Sequence, residues 1–239
     1  MSLANSYGTS SPGLQNLLHS TVTPSTQFGA GVPSGASKRN SPKMPLISID
    51  GNLGAGKSSV MKYLRNTYNY AVDLEPVDDW IPFLHDVYKN NKDAFELQVK
   101  VWLDRMYMPV YPTDQIVLTE RSGYFQWNVF TKSSLETGRI TDRQYTLLKT
   151  MYDNCLFYPD VYIYLQTTPE EAFKRIHKRS RNCESDIDMA YVEKIHAMHE
   201  NAYEDLVQEP DTHVHKINVE GRSIKQIGDE IHAYILNLQ

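Results

Sequence analysis

Residues 51–58 read GNLGAGKS, which fits the pattern G-x-x-x-x-G-K-[ST] of a loop that wraps nucleotide phosphates. Its glycines let the backbone approach phosphate oxygens closely, and the first N–H groups of the following helix point at the same charge. Lys57 is expected to reach the outer phosphates, and Ser58 to hold magnesium. An accidental match in a chain of this size has a frequency on the order of one in a hundred. The predicted nucleotide-binding residues are Gly51, Asn52, Leu53, Gly54, Ala55, Gly56, Lys57, Ser58 and Ser59.

Short apolar runs that alternate with longer helical patterns predict the elements that position this loop. The candidate strands are 46–50, 71–75, 115–120, 160–167 and 213–219. The candidate helices are 56–66, 92–108, 122–136, 141–155, 170–181, 188–207 and 223–237. Near-continuous apolar strands between helices are typical of a parallel sheet that is covered on both faces. We therefore predict an α/β fold of the P-loop NTPase type, a three-layer sandwich with a five-stranded parallel sheet and helices on both faces.

Composition divides the chain into a leader and one domain. Residues 1–43 are rich in Ser, Thr, Gly and Pro and contain no Asp or Glu, so we predict a disordered tail. A Ser-rich, acid-free leader is also typical of an organelle transit peptide, although its basic residues are bunched at its far end, at Lys38, Arg39 and Lys43. Residues 44–239 are predicted to form a single domain. The expected location is the cytoplasm, or mitochondria if the leader is a transit peptide.

Bulk properties argue against several classes of partner. A formal net charge of -5 and a pI near 5.9 argue against binding to nucleic acid, which is usually accompanied by a strong basic bias. The longest apolar runs are too short to cross a membrane. The two cysteines, Cys155 and Cys183, make neither a disulfide framework nor a metal-ligand spacing, which indicates a reducing compartment.

Five pieces of sequence in a fixed order point to one family. They are GNLGAGKS, EPVDDW at 75–80, a helix that carries Gln98 and Arg105, ERS at 120–122, and KRIHKRSRNCE at 174–184. With them the chain resembles the deoxyribonucleoside kinases, which include deoxycytidine, deoxyguanosine and mitochondrial-type thymidine kinases, over about residues 45–207. The resemblance implies that ATP and Mg²⁺ serve to phosphorylate the 5′-hydroxyl of a deoxyribonucleoside, a salvage step, by a kinase domain at 44–239. It also implies a homodimer, for which the apolar face of 141–155 is a candidate interface.

Three charged residues at the ends of predicted strands are the candidate catalytic groups. Glu75 ends the second strand, where a carboxylate can take the proton from a sugar hydroxyl, and such help is worth roughly 10²–10⁴ in rate. Glu120 is expected in the magnesium shell, and Arg121 between Glu75 and the phosphoryl group in flight. In the family that the chain resembles, the Glu of E-R-S is sometimes proposed as the base, so Glu120 remains an alternative. The structural alternatives are a capping or surface carboxylate at Glu75 and an ion pair between Glu120 and Arg121.

The helical pattern at 92–108 supplies candidates for base recognition. Phe95, Val99, Trp102 and Met106 recur at the spacing of one buried face, and Gln98 and Arg105, seven apart, share an adjacent face. Gln98 offers both a donor and an acceptor, which pairing with the edge of a base requires. By resemblance Gln98 contacts the nucleobase, and three aromatic residues pack on the base or touch the sugar 3′-hydroxyl. These are Trp80, Tyr88 and Phe130, although single aromatics are commonly core residues and the polar pair could be solvated.

A basic helix after the fourth strand is a candidate lid. Thr168 to Glu171 reads as a capping box with Pro at the first helical position. Arg175 and Arg179 then fall four apart on one face, with Arg181 just beyond. Guanidinium groups that close over a triphosphate would neutralise charge and exclude water. By resemblance Glu184 contacts a sugar hydroxyl, whereas the structural alternative for the whole segment is a solvated basic face.

One departure from the family leaves the preferred base open. Members that accept cytosine or purine bases pair the base-facing Arg with an Asp four residues after E-R-S, and thymidine-accepting members have smaller residues at both places. This chain has Arg105 but Gln126, which could hydrogen-bond several bases.

Two other functions fit the P-loop alone. A nucleoside-monophosphate kinase of the thymidylate kinase type would need a basic site for the phosphate of its acceptor. A catalytically silent module would bind nucleotide without transfer, and Glu75 and Arg121 speak against it.

Overall fold

The structure is a computed structural model that describes residues 45–90, 92–106, 115–155 and 158–238. Its five strands form one sheet in the order β2-β3-β1-β4-β5, and every neighbouring pair is parallel. The strands are β1 (Leu46–Gly51), β2 (Ala71–Asp73), β3 (Val117–Glu120), β4 (Val161–Gln166) and β5 (His213–Asn218). The predicted five-stranded parallel sheet is therefore confirmed. The predicted tail at 1–43 and helix residues 107–108 lie outside the described residues.

The helices connect these strands and cover them. They are α1 (Lys57–Tyr68), α2 (Val77–Tyr88), α3 (Phe95–Met106), α4 (Gly123–Phe125), α5 (Lys132–Glu136), α6 (Asp142–Asp153), α7 (Pro169–Arg179), α8 (Met189–Val207) and α9 (Ile224–Leu236). A π-helical turn, Gln126–Thr131, joins α4 to α5, so the helix predicted at 122–136 is continuous in direction but not regular. Helix α2 was not predicted, because Pro82 lies inside it and Pro76 immediately precedes it, and proline normally interrupts a helical pattern.

Alternation along the central strands separates the two helical layers. On β4, Val161, Ile163 and Leu165 face a cluster that includes residues of α1 and α9. Tyr162 and Tyr164, which point the other way, pack with α4, the π turn and α8. The sheet is thus buried on both faces, and the predicted three-layer sandwich is confirmed.

Helix α9 lies unusually close to α1, the helix that follows the P-loop. A Cβ atom at Gly228 would stand 2.3 Å from the ring of Tyr63, so a side chain at Gly228 would force that ring to move. Ile231 and Ile235 continue the same contact into the core, and both are fully buried. The position of α1 therefore depends on α9.

Helix α6, the candidate dimer interface at 141–155, begins at a capping box formed by Thr141 and Gln144. It buries Leu148 and Tyr152 against the rest of the domain and leaves Leu147 59% exposed. The interface stays a prediction. Among the described residues, no helix combines the length and the apolar character needed to cross a bilayer.

Candidate active site

A cavity of about 540 Å³ opens at the carboxyl ends of β1, β2 and β3, the edge at which parallel sheets place ligands. Most of the residues predicted for the site line it. They are Leu53, Gly54, Ala55, Gly56, Lys57, Ser58, Ser59, Glu75, Trp80, Tyr88, Gln98, Glu120, Arg121, Gln126, Phe130, Arg175, Arg179, Arg181 and Glu184. Of the predicted set, Gly51, Asn52 and Arg105 do not line this cavity in the described part of the chain.

The P-loop is held tightly between β4 and α7. Gly51 has a φ of 139°, and a Cβ atom there would lie 2.4 Å from the carbonyl oxygen of Leu165. Gly54 has a φ of 75°, and a Cβ atom there would lie 2.6 Å from the carbonyl oxygen of Ala172. Only glycine fits at these two positions, because both backbone conformation and space exclude a side chain.

Lys57 is buried at the mouth of this loop. Its Nζ donates to the carbonyl oxygens of Gly51 at 2.9 Å and Asn52 at 3.0 Å. Burial, with repulsion from Arg121 added, lowers the pKa of Lys57 to about 8, although Glu75 and Glu120 oppose the shift. Gly51 and Asn52 thus position the ammonium group through their carbonyls.

Ser58 and Glu120 meet at the start of α1. The Ser58 hydroxyl donates to Glu120 Oε1 at 2.6 Å, and the backbone N–H of Glu75 donates to Glu120 Oε2 at 3.3 Å. Within the described ranges no group of three or more His, Cys, Asp or Glu residues could hold a metal by itself. A serine hydroxyl beside one carboxylate nevertheless suits Mg²⁺, which keeps several waters and shares its coordination with nucleotide phosphates. These two side chains therefore fit the ion.

Glu75 and Arg121 form a buried ion pair that faces the loop. The guanidinium Nε donates to Glu75 Oε1 at 2.5 Å, and the side chains are 7% and 8% exposed. Burial alone would raise the pKa of Glu75, but the charges of Arg121 and Lys57 outweigh it and hold the pKa below its usual value. Glu75 is therefore ionised at neutral pH. Among the described residues Arg121 Nη1 is buried with no hydrogen-bond partner, which leaves a donor for a phosphate oxygen.

The backbone around Arg121 is strained and firmly held. Arg121 has a φ of 64°, a left-handed conformation that is uncommon for a residue with a side chain. Its N–H donates to the carbonyl of Ile49 at 3.0 Å, and the next N–H, of Ser122, donates to Asp50 Oδ1 at 2.8 Å. The ring of Phe130 lies 4.2 Å below the guanidinium. These contacts aim the arginine into the cavity.

Arg105 supports the same segment from another side. Its guanidinium donates to Asp73 Oδ2 at 3.1 Å and to Thr119 Oγ1 at 3.0 Å. It also donates to the backbone carbonyls of Glu120 at 2.7 Å and Arg121 at 2.8 Å. The structure thus places Arg105 at the ends of β2 and β3, where it stabilises the backbone that carries the catalytic candidates, and not at the cavity surface expected for a base contact.

The far end of the cavity combines aromatic and amide side chains. Trp80 donates through Nε1 to Asp104 Oδ2 at 2.7 Å, and the hydroxyls of Tyr88 and Tyr191 are 3.1 Å apart. Gln126 Nε2 donates to Gln98 Oε1 at 3.0 Å, so the two predicted amides contact each other directly. Leu84, Leu97 and Val101 complete an apolar surface. Such a surface with a few polar groups suits a flat heterocycle.

The basic residues after β4 cluster around one carboxylate. Arg179 Nη2 and Arg181 Nη1 donate to the two oxygens of Glu184, at 2.5 Å and 3.4 Å. Arg175 instead pairs with Glu171 at 2.8 Å. All three arginines line the cavity, and Glu184 is buried beside them. The segment therefore brings three arginine side chains to the cavity.

Residues 47–235 match the family model described as deoxynucleoside kinase. The chain belongs to this family. Similar proteins include putative kinase protein 029R of Invertebrate iridescent virus 3, which is 32% identical over 65% of this chain and 80% of its own. The deoxyadenosine kinase of Dictyostelium discoideum is 29% identical over 72% of this chain and 71% of its own.

A solved structure supports the same fold. The deoxyadenosine kinase from M. mycoides, with the products dCMP and a flexible dCDP bound, matches with a TM-score of 0.72 at 24% identity. The match covers 81% of this chain and all of that one. At this identity the similarity concerns the fold.

Several residues of this deoxynucleoside kinase site were not predicted. Asp50, which holds Ser122, could have been found, because a carboxylate inside an apolar strand needs a polar partner. Lys178 lies on α7 between the predicted Arg175 and Arg179 and also lines the cavity. Arg222, Ile224 and Ile227 line the cavity from α9 and the turn before it, which no motif marks.

Proposed function

We propose that the chain transfers the γ-phosphoryl group of ATP to the 5′-hydroxyl of a deoxyribonucleoside. Family membership supports deoxynucleoside phosphorylation, and the placement of Glu75 supports the chemistry in particular. Its carboxylate lies on the same 540 Å³ cavity as Lys57, paired with Arg121 at 2.5 Å. A nucleoside in this cavity would lie between the carboxylate and the phosphate loop.

In the proposed mechanism Glu75 accepts the proton of the 5′-hydroxyl as its oxygen attacks the γ-phosphorus. The bond between the γ-phosphorus and the bridging oxygen breaks, and ADP leaves. Lys57 binds the outer phosphate oxygens, and Nη1 of Arg121, which has no hydrogen-bond partner among the described residues, donates to the phosphoryl group in flight. Little covalent work falls to the protein, so positioning and charge neutralisation account for most of the rate.

Ser58 and Glu120 would hold Mg²⁺, which neutralises phosphate charge when it is bound with the nucleotide. Glu120 would then bind the ion and accept a hydrogen bond from the N–H of Glu75. Both contacts occupy its carboxylate oxygens, which favours Glu75 over Glu120 as the base. The lid arginines would exchange part of their contact with Glu184 for phosphate oxygens. Glu184 and Tyr88 would then face the sugar, while Trp80 and Phe130 would pack on the base.

The test measures ADP release with ATP and each of the four deoxynucleosides, beside the four matching 5′-monophosphates and a 5′-deoxy analogue. We expect turnover with at least one deoxynucleoside and none with the 5′-deoxy analogue, because the attacking oxygen is missing. Turnover with monophosphates alone would identify a nucleoside-monophosphate kinase. ATP binding without turnover of any acceptor would identify a silent module, and either result would overturn the proposal.

A further inference from the structure

The π turn Gln126–Thr131 brings two polar residues together at the base end of the cavity. In a π helix residues five apart lie above one another, and the Thr131 hydroxyl lies 3.3 Å from the backbone carbonyl of Gln126. Such turns are rare inside helices and are frequent at functional sites. Here the turn places Gln126 and Thr131 beside Gln98 of α3, and both contact its side-chain oxygen.

Ser134 determines which way the Gln98 amide points. The Ser134 hydroxyl has one proton, and its nearer acceptor is the carbonyl of Phe130 at 2.8 Å, so toward Gln98 it acts as acceptor. The group of Gln98 that faces Ser134, at 3.3 Å, must therefore be the donor Nε2. Thr131 supports the same orientation, because its hydroxyl is nearer to Gln98 Oε1 at 2.9 Å than to the Gln126 carbonyl at 3.3 Å, but it could accept from a reversed amide while donating to that carbonyl.

The orientation of Gln98 in turn fixes that of Gln126. Gln98 Oε1 accepts from the Thr131 hydroxyl and from Gln126 Nε2, at 2.9 Å and 3.0 Å, which occupies both of its lone pairs. Since Gln126 must turn its Nε2 toward Gln98, its Oε1 points elsewhere. No hydrogen bond among the described residues uses Gln126 Oε1 or the second Nε2 proton of Gln98, and both side chains line the cavity.

We propose that Gln98 and Gln126 contact the base together, Gln98 as donor and Gln126 as acceptor, and that Ser134 fixes this order as a positioning residue. The inference rests on the proposed function, since it assumes that a nucleobase occupies this end. Adenine and cytosine carry an amino group beside a ring nitrogen acceptor, whereas thymine and guanine carry an oxo group beside a ring N–H. The two classes present opposite orders of donor and acceptor, so a fixed amide pair separates them.

The test compares Ser134→Ala with the neighbouring Ser133→Ala, whose side chain takes part in none of these bonds. For each protein kcat/KM is measured with the four deoxynucleosides. The values for deoxyadenosine and deoxycytidine, the amino class, are then divided by those for thymidine and deoxyguanosine, the oxo class. We expect a ratio far from one in the unsubstituted protein. In Ser134→Ala both amides can turn over together, and the ratio should move toward one by about tenfold, the worth of one neutral hydrogen bond. The change should fall on the KM of the deoxynucleosides, while Ser133→Ala and Ser134→Thr, which keeps the hydroxyl, should retain the original ratio.

Binding supplies a measure that does not depend on turnover. Titration calorimetry of the same four deoxynucleosides, without ATP, gives the same class ratio from dissociation constants. If the protein phosphorylates no deoxynucleoside, but the ratio of dissociation constants moves toward one in Ser134→Ala, the proposed reaction is wrong and the role of Ser134 is supported. An unsubstituted protein that binds or phosphorylates both classes equally would overturn the inference, as would a Ser134→Ala protein that keeps the original ratio.

Discussion

At one end of the cavity charged side chains are held by backbone groups and by an ion pair, and at the other end two neutral amides are held by each other. Lys57 hydrogen-bonds two carbonyls of its own loop, and Arg121 is aimed by the backbone around it. Gln98 and Gln126, by contrast, come from separate helical elements and contact each other directly.

The difference predicts where chemistry and selectivity reside in this protein. Charge that develops in the transition state needs fixed partners, so changes at the phosphate end should alter rate strongly. A hydrogen bond between neutral amides is worth far less, so changes at the base end should produce graded changes in substrate preference.

Replacing Glu75 by Gln should have the largest effect. We expect kcat to fall by roughly 10²–10⁴, because the group that takes the proton is lost. The dissociation constant for ATP, measured by titration calorimetry, should stay within about threefold of the original. The stability of the variant should also be measured by denaturant unfolding, because removing one partner of a buried ion pair lowers the free energy of unfolding by about 3–5 kcal/mol. An unchanged kcat would show that Glu75 is not the base.

A comparison of Gly54→Ala with Gly221→Ala distinguishes the cost of a steric clash from the cost of an unfavourable backbone conformation. Both glycines have positive φ, but a Cβ atom at Gly54 would lie 2.6 Å from Ala172 oxygen, while at Gly221 it would have no neighbour within 4 Å in the part of the chain that the structure describes. Gly221→Ala should lower the free energy of unfolding by about 1–2 kcal/mol. Gly54→Ala should lower it by at least about 3 kcal/mol, because overpacking adds to the same strain. Equal losses in urea unfolding would contradict the close approach of the loop to α7.

The pH dependence of ATP binding tests the environment of Lys57. Because its pKa is lowered to about 8 and bound phosphate would favour the charged form, binding above pH 8 should take up a proton. Affinity should then fall as pH rises beyond 8, by at most about tenfold per unit. Calorimetry in buffers of different ionisation enthalpy would measure the proton directly, and Lys57→Arg should abolish its uptake.

Lys57 should also make the stability of the protein depend on pH. Its contribution to stability should rise with pH, whereas the affinity for ATP should fall. The pKa of Lys57 in the folded protein lies below the usual lysine value of 10.5, so between pH 8 and 10.5 the unfolded chain binds more protons. The contribution of Lys57 to the free energy of unfolding of the nucleotide-free protein should therefore rise with pH in this window. Comparison with Lys57→Met isolates it, and a difference that is constant with pH would contradict the lowered pKa.

Phe130→Leu should have the smallest effect. The ring lies 4.2 Å from the Arg121 guanidinium and lines the cavity, so its loss removes a cation–π contact and a stacking surface. We expect KM for the deoxynucleoside to rise about threefold to tenfold, with a smaller fall in kcat. Phe95→Leu, at a half-buried position that does not line the described cavity, is the control. Equal effects of the two substitutions would mean that Phe130 acts only through packing.

Prediction from sequence succeeded where neighbouring residues determine the structure. Near-continuous apolar runs gave all five strands, and a contiguous motif gave the loop. It could not place side chains whose contacts depend on distant partners. Arg105 shares a helix with Gln98, but its guanidinium lies at the ends of β2 and β3, which spacing along α3 does not reveal.

Irregular helical segments could not be predicted from the sequence either. Pro82 concealed α2, although a helix tolerates it there, and the π turn interrupts a segment whose pattern reads as one helix. The bonds among Gln98, Gln126, Thr131 and Ser134 depend on that turn, so their pattern could not be predicted from the sequence.

The close packing of α9 on α1 has a consequence for biosynthesis. A nascent chain that has reached Glu220 already contains the P-loop and its helix, but it lacks Ile231 and Ile235, which cover that helix, and Ile224 and Ile227, which line the cavity. Until residues 224–236 have left the ribosome, the P-loop and α1 lack the contacts that α9 provides in the folded domain. The nucleotide site can therefore be complete only after α9 has been made, although its signature is among the first parts of the domain to be made.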